Sequence, residues 1–287
     1  MNDIIYTLDA KHKDGTINEL YKRTISKSLT IDSRFRKDYY NSLSSNYNYN
    51  LPTPITNVME LEIDQLVIAQ SWYSISKELG NHFFWNGTTK ITIPDGNYNA
   101  KTMQTILKNK GLDIIIDVDE STGVGTNKTI ITGGNELFFN KNLNGQIDNT
   151  PLQLKLGWIL GFRYGHYKTK NNQIVSEGQF DGYGPKYLYL AIDDFNNTTL
   201  NDHISLLSSS IINKKIIARY SVFSTSNSLN RQNNNYFNNI IYFNRTYSGP
   251  VNINKLNIQL LDEYGRIINL NNMDYSFVLK YKTLYSR

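Results

Sequence analysis

The 287-residue chain contains no cysteine. That excludes disulfides, thiolate metal sites and cysteine nucleophiles, and it fits folding and assembly in a reducing cytosol. Histidine is scarce. His12, His82, His166 and His203 are the four copies, and none lies within metal-ligand spacing of another. No apolar run approaches the ~20 residues of a membrane-spanning helix. No secretory leader is expected, since Met1 to Ala10 is short and mixed, with Asp3 and Asp9 in it. The Asn-x-Ser/Thr sites at Asn86, Asn127, Asn197 and Asn244 then read as chance products of asparagine abundance. Also missing are a dense block of like charge, a Gly-x-Ser-x-Gly nucleophile elbow, internal repeats and heptads.

What is there is apolar enough for a core. Hydrophobic residues make up 39% of the chain and aromatic residues 13%, led by 21 tyrosines. Tyrosine has an apolar ring and a polar tip, so it suits surfaces that become half-buried. Asparagine reaches 38 copies. Asn, Ile, Lys and Tyr are all read from AT-rich codons, so genome composition accounts for the bias, while asparagine's tolerance of the left-handed region supports many tight turns. The net charge of +5 is spread thinly. Lys11, Lys13, Lys22, Arg23 and Lys27 form one loose group and Lys214, Lys215 and Arg219 another, both read as solvated basic surface.

Residues 1 to about 30 read as an N-terminal arm, with a possible short helix over Asn18–Lys27. A Ser/Asn/Tyr linker follows and ends at Leu51-Pro52-Thr53-Pro54. From Asn57 the period is two: Met59, Leu61 and Ile63 share one side, Glu60, Glu62 and Asp64 the other. The phase then slips to Leu66 and Ile68, which predicts a bulge near Gln65. Thr89–Ile93 is a strand. A helix follows, capped by Asn99, striped by Met103, Ile106 and Leu107, and ended by Gly111. Asp113–Val118 and Lys128–Ile131 read as a hairpin around Ser121–Asn127, and Leu152–Phe162 as a helical turn under the sheets. Tyr187–Ile192, Ile216–Phe223 and Asn239–Phe243 are strands, the last two flanking a polar loop over Ser224–Asn238. Val251 and Ile253 pass into Leu256, Ile258 and Leu260 in shifted phase, which predicts a second bulge near Asn254. Asp262–Gly265 is a turn, Arg266–Leu270 its return strand, and Tyr275, Phe277, Leu279 and Tyr281 one face of a closing strand. Strands outnumber helices and no helix alternates regularly with them. The expectation is therefore an all-β fold with one or two short helices, built as an antiparallel β-sandwich with Greek-key wiring.

Motifs that could carry chemistry fail in detail. Gly123 to Thr129 resembles a phosphate loop, but Asn127 stands where a glycine must precede the lysine, and strands flank it. Asp117-x-Asp119-x-Ser121 resembles the start of a calcium loop, but Thr122 replaces its glycine and Lys128 its closing glutamate. Asp193-Asp194 is a possible acid–base pair, yet neighbours on a strand point to opposite faces. Trp72, Trp85 and Trp158 sit in apolar neighbourhoods and read as core. No catalytic, cofactor or metal residues are assigned, and no cofactor is expected.

Several blocks resemble capsid proteins of nucleocytoplasmic large DNA viruses of the mimivirus-like type. They are Thr30–Arg36, Ile93–Tyr98, Leu156–Arg163, Lys186–Phe195, and a long run from Ser248 through Leu260–Leu270 to Tyr275–Leu279. The resemblance implies a virion shell protein, not an enzyme, folded as a single jelly roll over residues 51–287 behind an arm and linker over 1–50. It implies a penton protein forming homopentamers at the five-fold vertices, assembled in the host cytoplasm. A minor capsid or cement protein under the shell, or a carbohydrate-binding attachment module, are the alternatives. Partners would be copies of itself, the double jelly-roll major capsid protein and minor capsid proteins, with no specific nucleic-acid recognition and no membrane span. Tyr187, Tyr189, Tyr242 and Tyr247 are the candidate subunit-interface anchors, tyrosine being enriched at such patches.

Overall fold

A computed structural model describes residues 24–284, apart from 120, 134–135, 170–171, 197–203, 207–209, 213–214 and 223–239. The first strands are β1 (Thr24–Asp32), β2 (Asn46–Ile68), β3 (Phe83–Asn86) and β4 (Thr89–Thr92), followed by helix α1 (Ala100–Asn109). Next come β5 (Asp113–Ile116), β6 (Lys128–Thr132), β7 (Glu136–Phe138), the short helix α2 (Leu156–Ile159), β8 (His166–Lys168) and β9 (Gln173–Gln179). The chain continues through β10 (Tyr187–Asp193), β11 (Ile204–Leu206), β12 (Ser210–Ile212), β13 (Ile216–Ser221), β14 (Ile240–Tyr242), β15 (Arg245–Leu261) and β16 (Tyr275–Leu284). Every strand pairing described is antiparallel. The expected all-β class with two short helices is what the chain adopts.

The strands divide between two compact units. One holds a seven-stranded sheet in the order β1-β16-β2-β15-β10-β13-β14 and the β11–β12 pair. Its apolar rows follow from period-two alternation. Ile31, Phe277 and Leu66 lie in register across β1, β16 and β2, and so do Leu29, Leu279 and Ile63. Ile31, Leu61, Ile63, Phe277 and Leu279 are all at most 1% exposed. Each buried row removes several large side chains from water, worth about 1.5–3 kcal/mol apiece. The expected bulge is present: Ile63 faces Leu279 while Gln65 faces Val278, so Asp64 is the extra residue that keeps Leu66 on the core side. The second slip is present too, between Ile253 and Lys255 of β15.

The other unit holds a four-stranded sheet, β4-β3-β7-β8, a three-stranded sheet, β5-β6-β9, and both helices. One apolar cluster joins them, with Phe84, Ile91 and Leu137 from the first sheet, Ile114, Ile131 and Ile174 from the second, and Met103, Leu107, Leu156 and Leu160 from the helices. Asn99 caps α1 by accepting from the Thr102 amide at 2.8 Å, and Gly111 (φ +84°) lets the chain leave it. Gly161 (φ +92°) follows α2; a Cβ there would stand 2.4 Å from the Gly178 carbonyl oxygen.

Three expectations need correction. Thr24–Asp32 is no arm but an edge strand, paired residue for residue with Leu284–Ser276, and this also replaces the Thr24–Lys27 part of the expected helix. The linker over Asn41–Asn50 is a turn followed by the start of β2, which runs through residue 51. Its prolines are tolerated because the β2–β15 ladder is irregular there. The return strand Arg266–Leu270 reduces to one bridge, Leu261 to Ile267. There Asp262 accepts from the Tyr264 and Arg266 amides, both at 2.9 Å, and holds the turn closed. The range expected as one domain contributes to both units. The polar loop Ser224–Asn238 and the chain before Thr24 lie outside the described residues.

Candidate functional site

The four candidate tyrosines do not form one patch. Tyr187 and Tyr189 stand half-buried in β10, on the face opposite Leu188, Leu190 and Ile192. Tyr189 packs beside Ala191, Ile216 and Leu261. Tyr242 pairs with Ala218, and its side chain lies outside the described residues. Tyr247 is 2% exposed, which corrects its assignment as an interface anchor.

Tyr247 belongs instead to a buried polar cluster. Its hydroxyl donates to Asp194 Oδ2, and the Asp194 side chain is fully buried. Arg245 Nη1 lies 3.6 Å from that carboxylate and donates to the Ile192 carbonyl at 2.8 Å, while Nη2 donates to the Lys215 carbonyl at 3.0 Å. Lys215 Nζ reaches Asp193 at 2.7 Å, Asp194 at 3.5 Å and the Asn196 carbonyl at 2.9 Å. Burial, then the bond to Asp194, pushes the Tyr247 hydroxyl far above its ordinary pKa. Burial raises the Asp193 carboxyl, but the Lys215 bond, the Phe195 amide and the charges of Lys215 and Arg245 bring it below the ordinary range. The two aspartates diverge as their adjacency predicts, and both are matched by cations. The arrangement ties the end of β10 to the starts of β13 and β15. The signal for it lay in the alternation of β15, where Arg245 and Tyr247 point inward and Thr246 and Ser248 outward.

A second feature escaped the sequence reading. Between β1 and β2 the chain forms a loop fixed from beneath by Arg36. Its Nη1 donates to the Ser33 carbonyl at 2.7 Å and to Asp274 at 2.9 Å. Its Nη2 donates to the carbonyls of Tyr39 and Ser42 at 3.1 and 3.3 Å, and Nε donates to Ser42 Oγ at 3.1 Å. The guanidinium also lies 4.0 Å from the Tyr39 ring centre. Ser33 Oγ donates to Asp274 at 2.7 Å and accepts from the Tyr275 amide at 3.0 Å. Ser44 Oγ donates to the Met273 carbonyl at 2.7 Å. In this loop Phe35 is 75% exposed, Tyr40 95%, Tyr39 38% and Leu43 46%, and Met273, joined to it through Ser44, is 49% exposed.

The aromatic residues of the four-stranded sheet are covered by their own chain. Lys90, Trp85, Phe138 and His166 stand in one register row. Trp85 Nε1 donates to the Asn142 carbonyl at 2.9 Å, and a Cβ on Gly145 would lie 3.4 Å from its ring. Phe138 has His166 stacked on it at 4.4 Å and Lys141 Nζ 3.4 Å from its ring centre. Arg163 covers Trp158 at 4.0 Å, and Trp72 is core at 3% exposure. His82 is buried beside Phe83, and His12 and His203 lie outside the described residues. Asp117 accepts from Thr126, and Asp119 from Ser121 and Thr122, so these carboxylates close the β5–β6 loop. Among the described residues no three His, Asp or Glu side chains gather as a metal site, and no helix is long and apolar enough to cross a membrane.

No protein-family model and no characterised protein sequence matches the chain. Among solved structures it is similar to the mavirus penton protein, at 10% identity and a TM-score of 0.35, over 92% of this chain and 100% of that one. It is also similar to a chain of the Sputnik virophage determined by cryo-EM, at 12% identity and a TM-score of 0.37, over 90% of this chain and 97% of that one. At these identities and scores neither likeness assigns this chain a family or a role.

Proposed function

We propose that this chain is a structural protein of the capsid of a large icosahedral DNA virus, a penton protein that forms homopentamers at the five-fold vertices. The observation that carries the reading is apolar surface on a braced loop of the first unit. Phe35 and Tyr40 there remain 75% and 95% exposed, while the Arg36 guanidinium of the same loop is buried and matched by Asp274 and the carbonyls of Ser33, Tyr39 and Ser42. An exposed apolar surface on an ordered loop marks a contact surface rather than a reaction site. The sequence blocks agree in position: Lys186–Phe195 spans β10, and the Ser248–Leu279 run spans β15 to the middle of β16, the heart of the seven-stranded sheet. A five-fold ring needs two lateral faces that recognise each other heterologously, each contact burying on the order of 1,000 Å² or more. The nucleocytoplasmic, mimivirus-like origin, the virion location, the host-cytoplasm assembly and the double jelly-roll partner belong to the same proposal. Tyr187 and Tyr189 stay candidate contacts within it. The carbohydrate-binding alternative needs open aromatic platforms along a sheet face, and on the four-stranded sheet Trp85 and Phe138 are covered by their own chain. Sedimentation equilibrium of the full chain tests the reading. Pentamers, and particles imaged with this chain on the five-fold axes, are expected; a monomer at every concentration, or a place away from those axes, would overturn it.

A further inference from the structure

We infer that the Arg36-braced loop, with Met273, is a two-fold self-association surface on which one copy of this chain binds the same patch of a second copy. The contact goes beyond the five-fold ring, which needs unlike faces, and it does not depend on that ring.

Area gives the first argument. The exposed fractions of Phe35, Tyr39, Tyr40, Leu43 and Met273 amount to about three whole large side chains, roughly 600 Å² at the ~150–250 Å² an aromatic residue offers. Two such surfaces face to face offer at most about 1,200 Å², which reaches the lower end of stable protein interfaces. Preorganisation gives the second. The Arg36 guanidinium holds the Ser33, Tyr39 and Ser42 carbonyls together with Asp274. The loop is therefore already ordered before binding, and the usual entropy cost of ordering a contact loop is small.

Charge gives the third argument and selects the occupant. Lys37 and Asp38 are adjacent, exposed and opposite in sign in this loop, Asp38 also accepting from the Asn41 side-chain amide at 2.9 Å, and the exposed Arg34 beside Phe35 is paired within its own chain to Asp32. Under a two-fold axis residue i meets j while j meets i. Lys37 of each copy can then face Asp38 of the other. A partner with one sign of charge would satisfy only half of this rim.

Mass photometry and sedimentation velocity on the full chain test the inference. The wild-type protein is expected to show a species of doubled mass, a dimer of chains or a pair of rings, that grows with concentration. Phe35→Ser with Tyr40→Ser should abolish the doubling while leaving thermal unfolding and any ring unchanged, since both side chains point to solvent. Lys37→Asp alone and Asp38→Lys alone should each weaken it, and the two together should restore it. Doubling that survives the aromatic pair, failure of the double charge swap to restore it, or a wild-type protein that never doubles would each overturn the inference. Pentamers without doubling would sink it and leave the vertex reading standing; doubling without pentamers would do the reverse.

Discussion

Replacing Asp194 by alanine removes the anion on which three strands converge. The side chain is fully buried, so solvent cannot substitute for it. Tyr247 would keep a buried hydroxyl with its acceptor gone, a loss of about 1–3 kcal/mol. Arg245, itself 7% exposed, would lose its counter-charge and keep only two carbonyls. Lys215 would fare better, because Asp193 remains 2.7 Å away. Breaking a buried ion pair by deleting one partner costs about 3–5 kcal/mol; the surviving Asp193 contact places this case near the lower end, about 3 kcal/mol. For a cooperative unit of 150–250 residues, that lowers the melting temperature by roughly 6–12 °C. Calorimetry of Asp194→Ala, Tyr247→Phe and the double variant measures it. The double variant should fall short of the summed single effects by about 0.5–3 kcal/mol, since the two groups share one bond. A shift below about 2 °C for Asp194→Ala, or strict additivity, would show that the cluster does not brace the sheet.

The same hydroxyl sets a pH response. Tyr247 has its pKa raised in the folded state by burial and by Asp194. Its contribution is therefore intact below the unfolded value of ~10 and is lost as pH rises above that toward the folded value; Tyr247→Phe should flatten the alkaline limb of a stability–pH curve. Deleting Asp64 should be tolerated, because the bulge vanishes while Ile63 and Leu66 stay inward, and its pair with Lys280 is exposed. Deleting Glu62 should send Leu61 or Ile63 to solvent at about 1.5–3 kcal/mol, read as a lower denaturant midpoint. Asn99→Ala should cost about 1 kcal/mol by uncapping α1, and Met103→Ala, from a site with no exposure, about 2–5 kcal/mol; equal effects would contradict the assignment of Met103 to the core.

Much of the local structure was legible because it is written in short-range patterns. The α1 cap, stripe and terminal glycine lie within thirteen residues and were read correctly. Both phase slips in apolar alternation became register shifts in β2 and β15. β1 was missed because its core-facing residues are few, Leu29 and Ile31 after an exposed Ile25 and Lys27 on the same side, and because the strand that completes it lies some 250 positions along the chain. The braced loop was missed because Arg36 lies within a stretch read as arm and linker, while its acceptor Asp274 follows β15.

Side-chain period and turn chemistry, properties of neighbours along the chain, determined that this protein is antiparallel β with a capped helix, and where its strands bend. Which tyrosine is buried and which is displayed is a property of neighbours in space. Tyr247 and Tyr40 have the same side chain and similarly polar surroundings in sequence. Folding brings Asp194 and Arg245 around the first and leaves the second in water. Only the tertiary structure could separate the clamp from the contact surface, because burial depends on strands that pair across the whole length of the chain.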